Sequence, residues 1–303
     1  MSSLILFEMP VIFFIAGAAM QYARPKDQWG LVKSRVVRVL VPYVLYAFLS
    51  ILIFVYLGAA RGTHFYMDGY GWSEWLSVLT LESLPGVPFA WQVWFVLPYF
   101  LISISFNVQK TWLEQIPLGV YLLILTVLVV VCNYIYHTYW DGYLMWILQE
   151  VFFYDIFFLI GYKLYRQAWT WWKYLVIALA TICFVGYCAL RGVPDMQDYK
   201  FPPTELFLVY GVMTLGLLSL VFTKVKIPYN RVVDFWNKRG FNLYLYQNVV
   251  YFVYWRFAFD RVQETVGNQL AVFVISSVVI FIGSMLLSLI TYPVERKVCD
   301  MVR

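Results

Sequence analysis

Runs of about twenty predominantly apolar residues return along the whole chain, and few folds are open to such a chain. A stretch of that length crosses about 30 Å of hydrocarbon as a helix. There, every backbone N–H and C=O must be satisfied within the segment itself. Such runs fall at 3–21, 38–60, 89–108, 116–136, 146–165, 173–190, 205–223, 241–258 and 269–292. Turn residues collect between them, as in GTHFYMDGYG after Arg61, LPGVP at 84–88, RGVPDMQD at 191–198 and KIPYN at 226–230. Only short connections remain. The expected fold is therefore all-α, a polytopic membrane bundle of about nine transmembrane helices. It forms one domain over 1–303, with no soluble domain attached.

Composition supports this. The chain is 62% hydrophobic and 13% charged, against roughly 25% charged residues in soluble domains. Its 13 Trp, 25 Tyr and 25 Phe are ample for aromatic belts at the membrane surface. The net charge of +5 then reads as orientation, and no nucleic-acid partner is expected. Of the 22 lysines and arginines, 17 fall in the odd-numbered connections and the C-terminal tail, and five in the even ones. The positive-inside rule puts the former, and hence the C-terminus, in the cytoplasm and Met1 on the outer side. A first residue outside, without a basic cluster beside it, asks for one more helix ahead of it. Residues 1–21 carry Glu8 and lack a basic leader, so they read as a span that stays and not as a cleaved signal. The four cysteines show neither metal-ligand spacing nor a disulfide framework. They are expected to be buried, inert thiols, and no metal is expected.

Several polar groups stand out against this background. Arg35 and Arg38 open the second run, and at i, i+3 on an α-helix they are offset by roughly 60° and share a face. A fixed double positive charge at a membrane boundary suits phosphate, and it also suits simple interfacial anchoring. Ionisable residues inside spans are functional candidates by default. Glu8 lies just inside the outer boundary beside Met9-Pro10, Glu150 near an outer edge, and Asp155 near the middle of its run. Five-residue spacing turns Glu150 and Asp155 onto different faces, so Asp155 is expected to line the bundle or to hydrogen-bond between helices. Gln92 and the pair Gln247-Asn248 can form a polar wall or interhelical contacts. Glu295 follows Tyr292-Pro293 and could reach the arginine pair or sit in a solvated tail. His64 and His137 fall in or beside outer connections with tyrosines, Trp140, Asp68 and Asp141. That grouping fits a sugar-binding rim or an aromatic belt.

Taken in order, several segments resemble the acyltransferase-3 family of integral-membrane acyltransferases. FEMPVIFFIAGA (7–18) followed by SRVVRVLVPY (34–43) is similar to the family's "MP-x-FFFISG" phrase and its R-x-x-R pair. WQVWFVLPYF (91–100) resembles its "LWFL" segment, FFYDIFFLIGYKLYR (152–166) its "FFLIGY" helix, and YKFPPTELFLVYG (199–211) its "YPPT" entry. GFNLYLYQNVVYF (240–252) and TYPVERKV (291–298) are similar to its last two motifs. The resemblance implies an O-acetyltransferase that moves acetyl from cytosolic acetyl-CoA, a co-substrate, to a cell-surface glycan or a lipid-linked sugar. Such chemistry needs a base for the hydroxyl, donors for the oxyanion and a hold on the nucleotide phosphates. The resemblance gives the phosphates to Arg35 and Arg38, with Lys33 and Arg24 in support.

Relatives carry a catalytic histidine on a first helix that has no counterpart here. Where they can have histidine in the matched motifs, this chain has Glu8, Gln92 and Gln247. Either the histidine helix lies upstream, or the chemistry is lost or rebuilt; in a rebuilt site Glu8 is the candidate base, and otherwise it snorkels to the outer face or pairs with an arginine. Gln92, Trp94, Gln247, Asn248 and Glu295 are candidates for holding the acceptor. The implied location is a cell membrane of bacterial inner-membrane type, multi-pass and in contact with lipid. A homo-oligomer is compatible with this. The rival is a non-catalytic translocator or partner subunit on the same scaffold. Against a transporter stands the absence of paired broken helices in two matching halves.

Overall fold

The computed structural model of the chain describes residues 8–61, 93–140, 142–225, 228 and 230–302. His64, Asp68, Gln92, Asp141 and Lys226 lie outside them. Among the described residues, regular structure is helical throughout, apart from one isolated bridge between Lys200 and Pro203.

The helices are α1 (Glu8–Met20), α2 (Gln28–Arg35), α3 (Val41–Arg61), α4 (Val96–Gln115), α5 (Leu118–Thr138) and α6 (Tyr143–Leu164). After them come α7 (Trp171–Arg191), α8 (Glu205–Lys224), α9 (Arg231–Tyr254), α10 (Asp260–Val266) and α11 (Gln269–Val302). Five-residue π turns join α2 to α3 (Val36–Leu40) and α9 to α10 (Trp255–Phe259).

Six helical stretches among the described residues are long and apolar enough to cross a membrane. They are Gln28–Ile53, Leu118–Thr138, Tyr143–Leu164, Trp171–Arg191, Glu205–Phe222 and Gln269–Met301. The other three expected runs correspond to α1, α4 and α9. The described part of α1 has 13 residues. Helix α4 ends in the polar stretch NVQKTWLEQ. Helix α9 opens with Arg231, Asp234, Lys238 and Arg239, which dilute its apolar half. Large apolar side chains on the outward faces of the spanning helices are uncovered by protein, among them Leu123 and Val127 of α5, Leu179 and Ile182 of α7, and Phe273 and Ile282 of α11. Faces of this kind belong against lipid, and the chain is a multi-span membrane protein.

The chain folds as two compact units, Met1–Gln28 with Pro98–Ile227, and Trp29–Leu97 with Pro228–Arg303. The first unit is built on α6. That helix carries apolar residues on every face, as a mostly buried helix does, and Phe153, Tyr154, Phe157, Phe158 and Leu159 are fully buried. Helix α1 packs on it at van der Waals limits. A Cβ on Gly17 would lie 1.8 Å from the carbonyl oxygen of Phe158, and one on Gly161 would lie 2.0 Å from that of Phe14. Small residues there let two backbones meet, the usual device of helix pairs in membranes. Phe13 stacks on Tyr154 at 4.7 Å, and Phe153 on Phe207 of α8 at 5.7 Å. Helix α5 also packs on α6, and α7 pairs with α8.

Local signals place the helix ends. Thr204 caps α8 by accepting from the Phe207 amide. Lys173 folds back over the end of α6 and donates to the carbonyls of Gln167 and Ala168, both at 3.0 Å.

The second unit pairs α9 with α11 and sets α3 and the first π turn against them. Gly267, at φ 65°, closes α10, and the Asn268 side chain caps α11 through the amides of Leu270 and Ala271. The last apolar run was expected to end at 292, but α11 continues through Pro293 to Val302. A proline forfeits one backbone bond and sets its fixed φ in the helical range, so a helix already formed over 24 residues passes through it. The cysteines divide differently from expectation. Cys132 is buried, whereas Cys183 is exposed on α7, on a face that the apolar pattern turns outward.

Candidate functional site

In the second unit, Arg35 closes α2 and Arg38 lies within the π turn. The wider turn, in which the Val41 amide bonds the Val36 carbonyl, replaces the α spacing that would put both guanidiniums on one face. Arg35 is half-buried and Arg38 exposed, with Val37 and Val39 buried on either side of it. The Cys299 thiol of α11 contacts the Val37 carbonyl at 3.5 Å. π turns of this kind recur at functional sites in helices.

Trp94 is buried, edge-on to Phe95 at 6.2 Å, and Phe95 in turn meets Tyr244 of α9 at 5.2 Å. Gln247 and Asn248 part company. Gln247 is exposed, while Asn248 is fully buried and donates to the Tyr46 hydroxyl of α3 at 3.4 Å. Glu295 accepts a hydrogen bond from Asn242 of α9 and feels the charge of Arg239. Arg239 donates to the Ser288 carbonyl at 2.9 Å, and its guanidinium lies 3.8 Å over the Tyr292 ring. Neither Arg239 nor Asn242 was singled out in the sequence. The signal was there in the spacing of 288, 292 and 295, which lines one face of α11 with polar and aromatic groups.

In the first unit, Glu8 pairs with Lys200, Nζ to Oε1 at 3.3 Å. The Lys200 side chain is 6% exposed and that of Glu8 39%. Lys200 also acts electrostatically on Glu150 of α6, which is fully buried. Beside Glu150, the fully buried Gln149 donates to the Pro203 carbonyl at 3.1 Å. Asp155 accepts from Gln109 of α4 at 2.9 Å, and Gln109 also donates to Ser105 at 3.0 Å. Asp155 is thus the interhelical hydrogen-bond partner its position suggested, and it does not pair with Glu150. The loop carrying Lys200 is fastened by a 2.8 Å contact between the hydroxyls of Tyr199 and Tyr187. That hydrogen bond, with some burial, pushes the Tyr199 phenol above its ordinary range. Lys200 had drawn no attention in the sequence, where it read as one of a few charges in an outer connection. His137 ends α5, edge-on to Tyr136 at 5.3 Å.

The polar groups therefore form two sets. Arg35, Arg38, Trp94, Gln247, Asn248 and Glu295 belong to the second unit, and Glu8 belongs to the first with Lys200 and Glu150. The open depression along Pro293, Arg296, Lys297, Asp300 and Met301 is walled by α11 alone and encloses none of these groups. In comparison with known proteins, a family model described as an acyltransferase domain matches residues 2–291. No curated protein and no solved structure matches the chain.

Proposed function

This chain belongs to the acyltransferase-3 family, and from that premise we propose that it is a membrane O-acetyltransferase. It takes acetyl from cytosolic acetyl-CoA and delivers it to a hydroxyl of a cell-surface glycan or a lipid-linked sugar. The match across nearly the whole chain supports this reading, because it covers the segments that carry all the candidate residues but Glu295.

In this reading the nine apolar runs of the sequence all cross the membrane, with the odd connections and the C-terminus inside. Arg35 and Arg38 hold coenzyme A phosphates at the cytoplasmic boundary, and charge-assisted contacts from guanidinium to phosphate are strong there. One guanidinium is half-buried and the other exposed, which suits a partner lying across the membrane surface. The acceptor oxygen attacks the thioester carbonyl, a C–O bond forms, and the C–S bond breaks. Glu8 takes the hydroxyl proton, which passes to the departing thiolate. Gln92, Trp94, Gln247, Asn248 and Glu295 hold or shape the acceptor's surroundings.

The test is binding and turnover by the purified full chain. Replacing Arg35 and Arg38 together with Gln should weaken coenzyme A binding at least roughly a hundredfold, since each charge-assisted contact is worth about 1.5–3 kcal/mol. Glu8→Gln should keep that binding and lose transfer of labelled acetyl to a glycan. Unchanged coenzyme A affinity in the double variant returns the arginines to anchoring, and full transfer by Glu8→Gln removes Glu8 from the chemistry.

A further inference from the structure

Two adjacent residues of α6 are buried with oxygens that receive no donor from the described residues. Among those residues, neither carboxylate oxygen of Glu150 nor the Oε1 of Gln149 has a hydrogen-bond partner, although the two side chains are fully buried. Buried acceptors left in that state are costly, a carboxylate most of all. The Gln149 oxygen can only accept, as can both oxygens of Glu150 when it is ionised, so a partner that completes them brings donors.

The surroundings narrow the choice. Lys200 already pairs its positive charge with Glu8 and acts electrostatically on Glu150, which disfavours a second ammonium there. Among the described residues, no third His, Cys, Asp or Glu joins the two carboxylates to make a metal-ligand set. One turn before Glu150, on the same face of α6, stands Trp146. Its ring stacks on Tyr143 at 5.6 Å and leans toward Phe201 at 6.5 Å. Trp146 is half-buried and Tyr143 exposed, so this aromatic ledge lies at the surface end of the buried acceptors. Phe201 follows Lys200, whose ammonium lies 5.2 Å from its ring. An amphipathic ledge beside a few convergent polar groups is the usual make-up of a small-molecule site. A pyranose presents both complements, an apolar C–H face and a rim of hydroxyl donors.

We propose that the head of α6, the Lys200–Pro203 bridge and Glu8 form a site for a neutral sugar, with Trp146 as its platform and Glu150 and Gln149 as acceptors for its hydroxyls. The assignment rests on the reading of the chain as an acetyltransferase to a sugar and adds Trp146, Gln149 and Glu150 to the acceptor-side candidates already named. Lys200 pairs with the candidate base Glu8 and acts on the hydroxyl-binding carboxylate through its charge.

The experiment is thermal unfolding of the purified full chain in detergent with methyl β-D-glucoside, methyl β-D-galactoside, methyl α-D-mannoside or glucosamine, and separately with coenzyme A. At least one neutral glycoside should raise Tm in a concentration-dependent way. Glu150→Leu and Trp146→Leu should each weaken that glycoside at least about tenfold while keeping the coenzyme A shift. Glu150→Leu alone should unfold no lower than the wild type, because it removes a buried carboxylate that lacks donors. If Glu150→Leu proves unfolded, that expectation has failed, and Trp146→Leu still reads sugar binding. The proposal is overturned if no neutral glycoside stabilises the wild type, if both variants respond like the wild type, or if glucosamine alone is bound. Loss of the coenzyme A response in the wild type instead overturns the acetyltransferase reading, so the two failures are distinguishable.

Discussion

Glu150 and Asp155 are two buried acids on one helix with unlike surroundings, and the difference is set by what faces them. Asp155 looks toward α4 and receives the Gln109 amide at 2.9 Å, whereas Glu150 looks toward the loop that carries Lys200. A buried carboxylate with one good donor is tolerable, and without that donor it is not. Gln109→Leu should therefore destabilise the chain by about 1–3 kcal/mol. Adding Asp155→Leu should recover part of the loss, because both polar partners are then gone. Thermal unfolding of the two single variants and the double variant gives the coupling directly. A double variant no better than Gln109→Leu would show that Asp155 is satisfied by some other group. The identities of these acids were legible in the sequence, and so was their separation onto different faces. Their partners were not, because Gln109 and Lys200 are 46 and 50 residues from the acids they face.

At the scale of elements, the closest approach in the first unit is the crossing of α1 and α6 at Gly17 and Gly161. A methyl group there has no side chain to push aside. It meets the backbone carbonyls of Phe158 and Phe14, 1.8 and 2.0 Å from an ideal Cβ. Gly17→Ala should thus separate the helices or fail to fold, at about 3 kcal/mol or more. Gly186, with nothing near its Cβ position, should accept alanine without loss. Equal thermal stability of the two alanine variants would contradict the crossing. In the second unit α9 and α11 are joined differently, by Asn242 to Glu295 and by Arg239 across Ser288 and Tyr292. The first contact falls on small residues of FIAGA and FFLIGY, segments that the sequence offered only as motifs. The second depends on a match between two faces, each unremarkable when read alone.

For the whole molecule, the spanning count and the charge bias give one testable frame. Helix α7 is 21 residues long, about 32 Å at 1.5 Å per residue, enough to cross the hydrocarbon once. Its two flanks should therefore lie on opposite sides, Gln167 in the cytoplasm and Asp198 outside. Single cysteines at these positions, on a background without the four native ones, should react with an impermeant maleimide in intact cells at 198 only. Reaction of both from one side would discard the odd-even assignment.

What the sequence determined by itself was class and family. Apolar length dictates membrane-spanning helices because the bilayer leaves the backbone no other way to satisfy its polar groups, and ordered motifs such as FEMPVIFFIAGA and SRVVRVLVPY carry the family. The tertiary structure decided which polar groups meet. The i, i+3 reasoning for Arg35 and Arg38 assumed an unbroken α-helix, and the π turn at Val36–Leu40 gives them different exposures. Adjacent in sequence, Gln247 and Asn248 fall on opposite terms with the protein, one exposed and one fully buried. Helical periodicity fixes the neighbours of a residue three and four positions away. The neighbour of Glu8 is Lys200, 192 residues on, and only the packing of α1 and the Lys200 loop around α6 brings the two together.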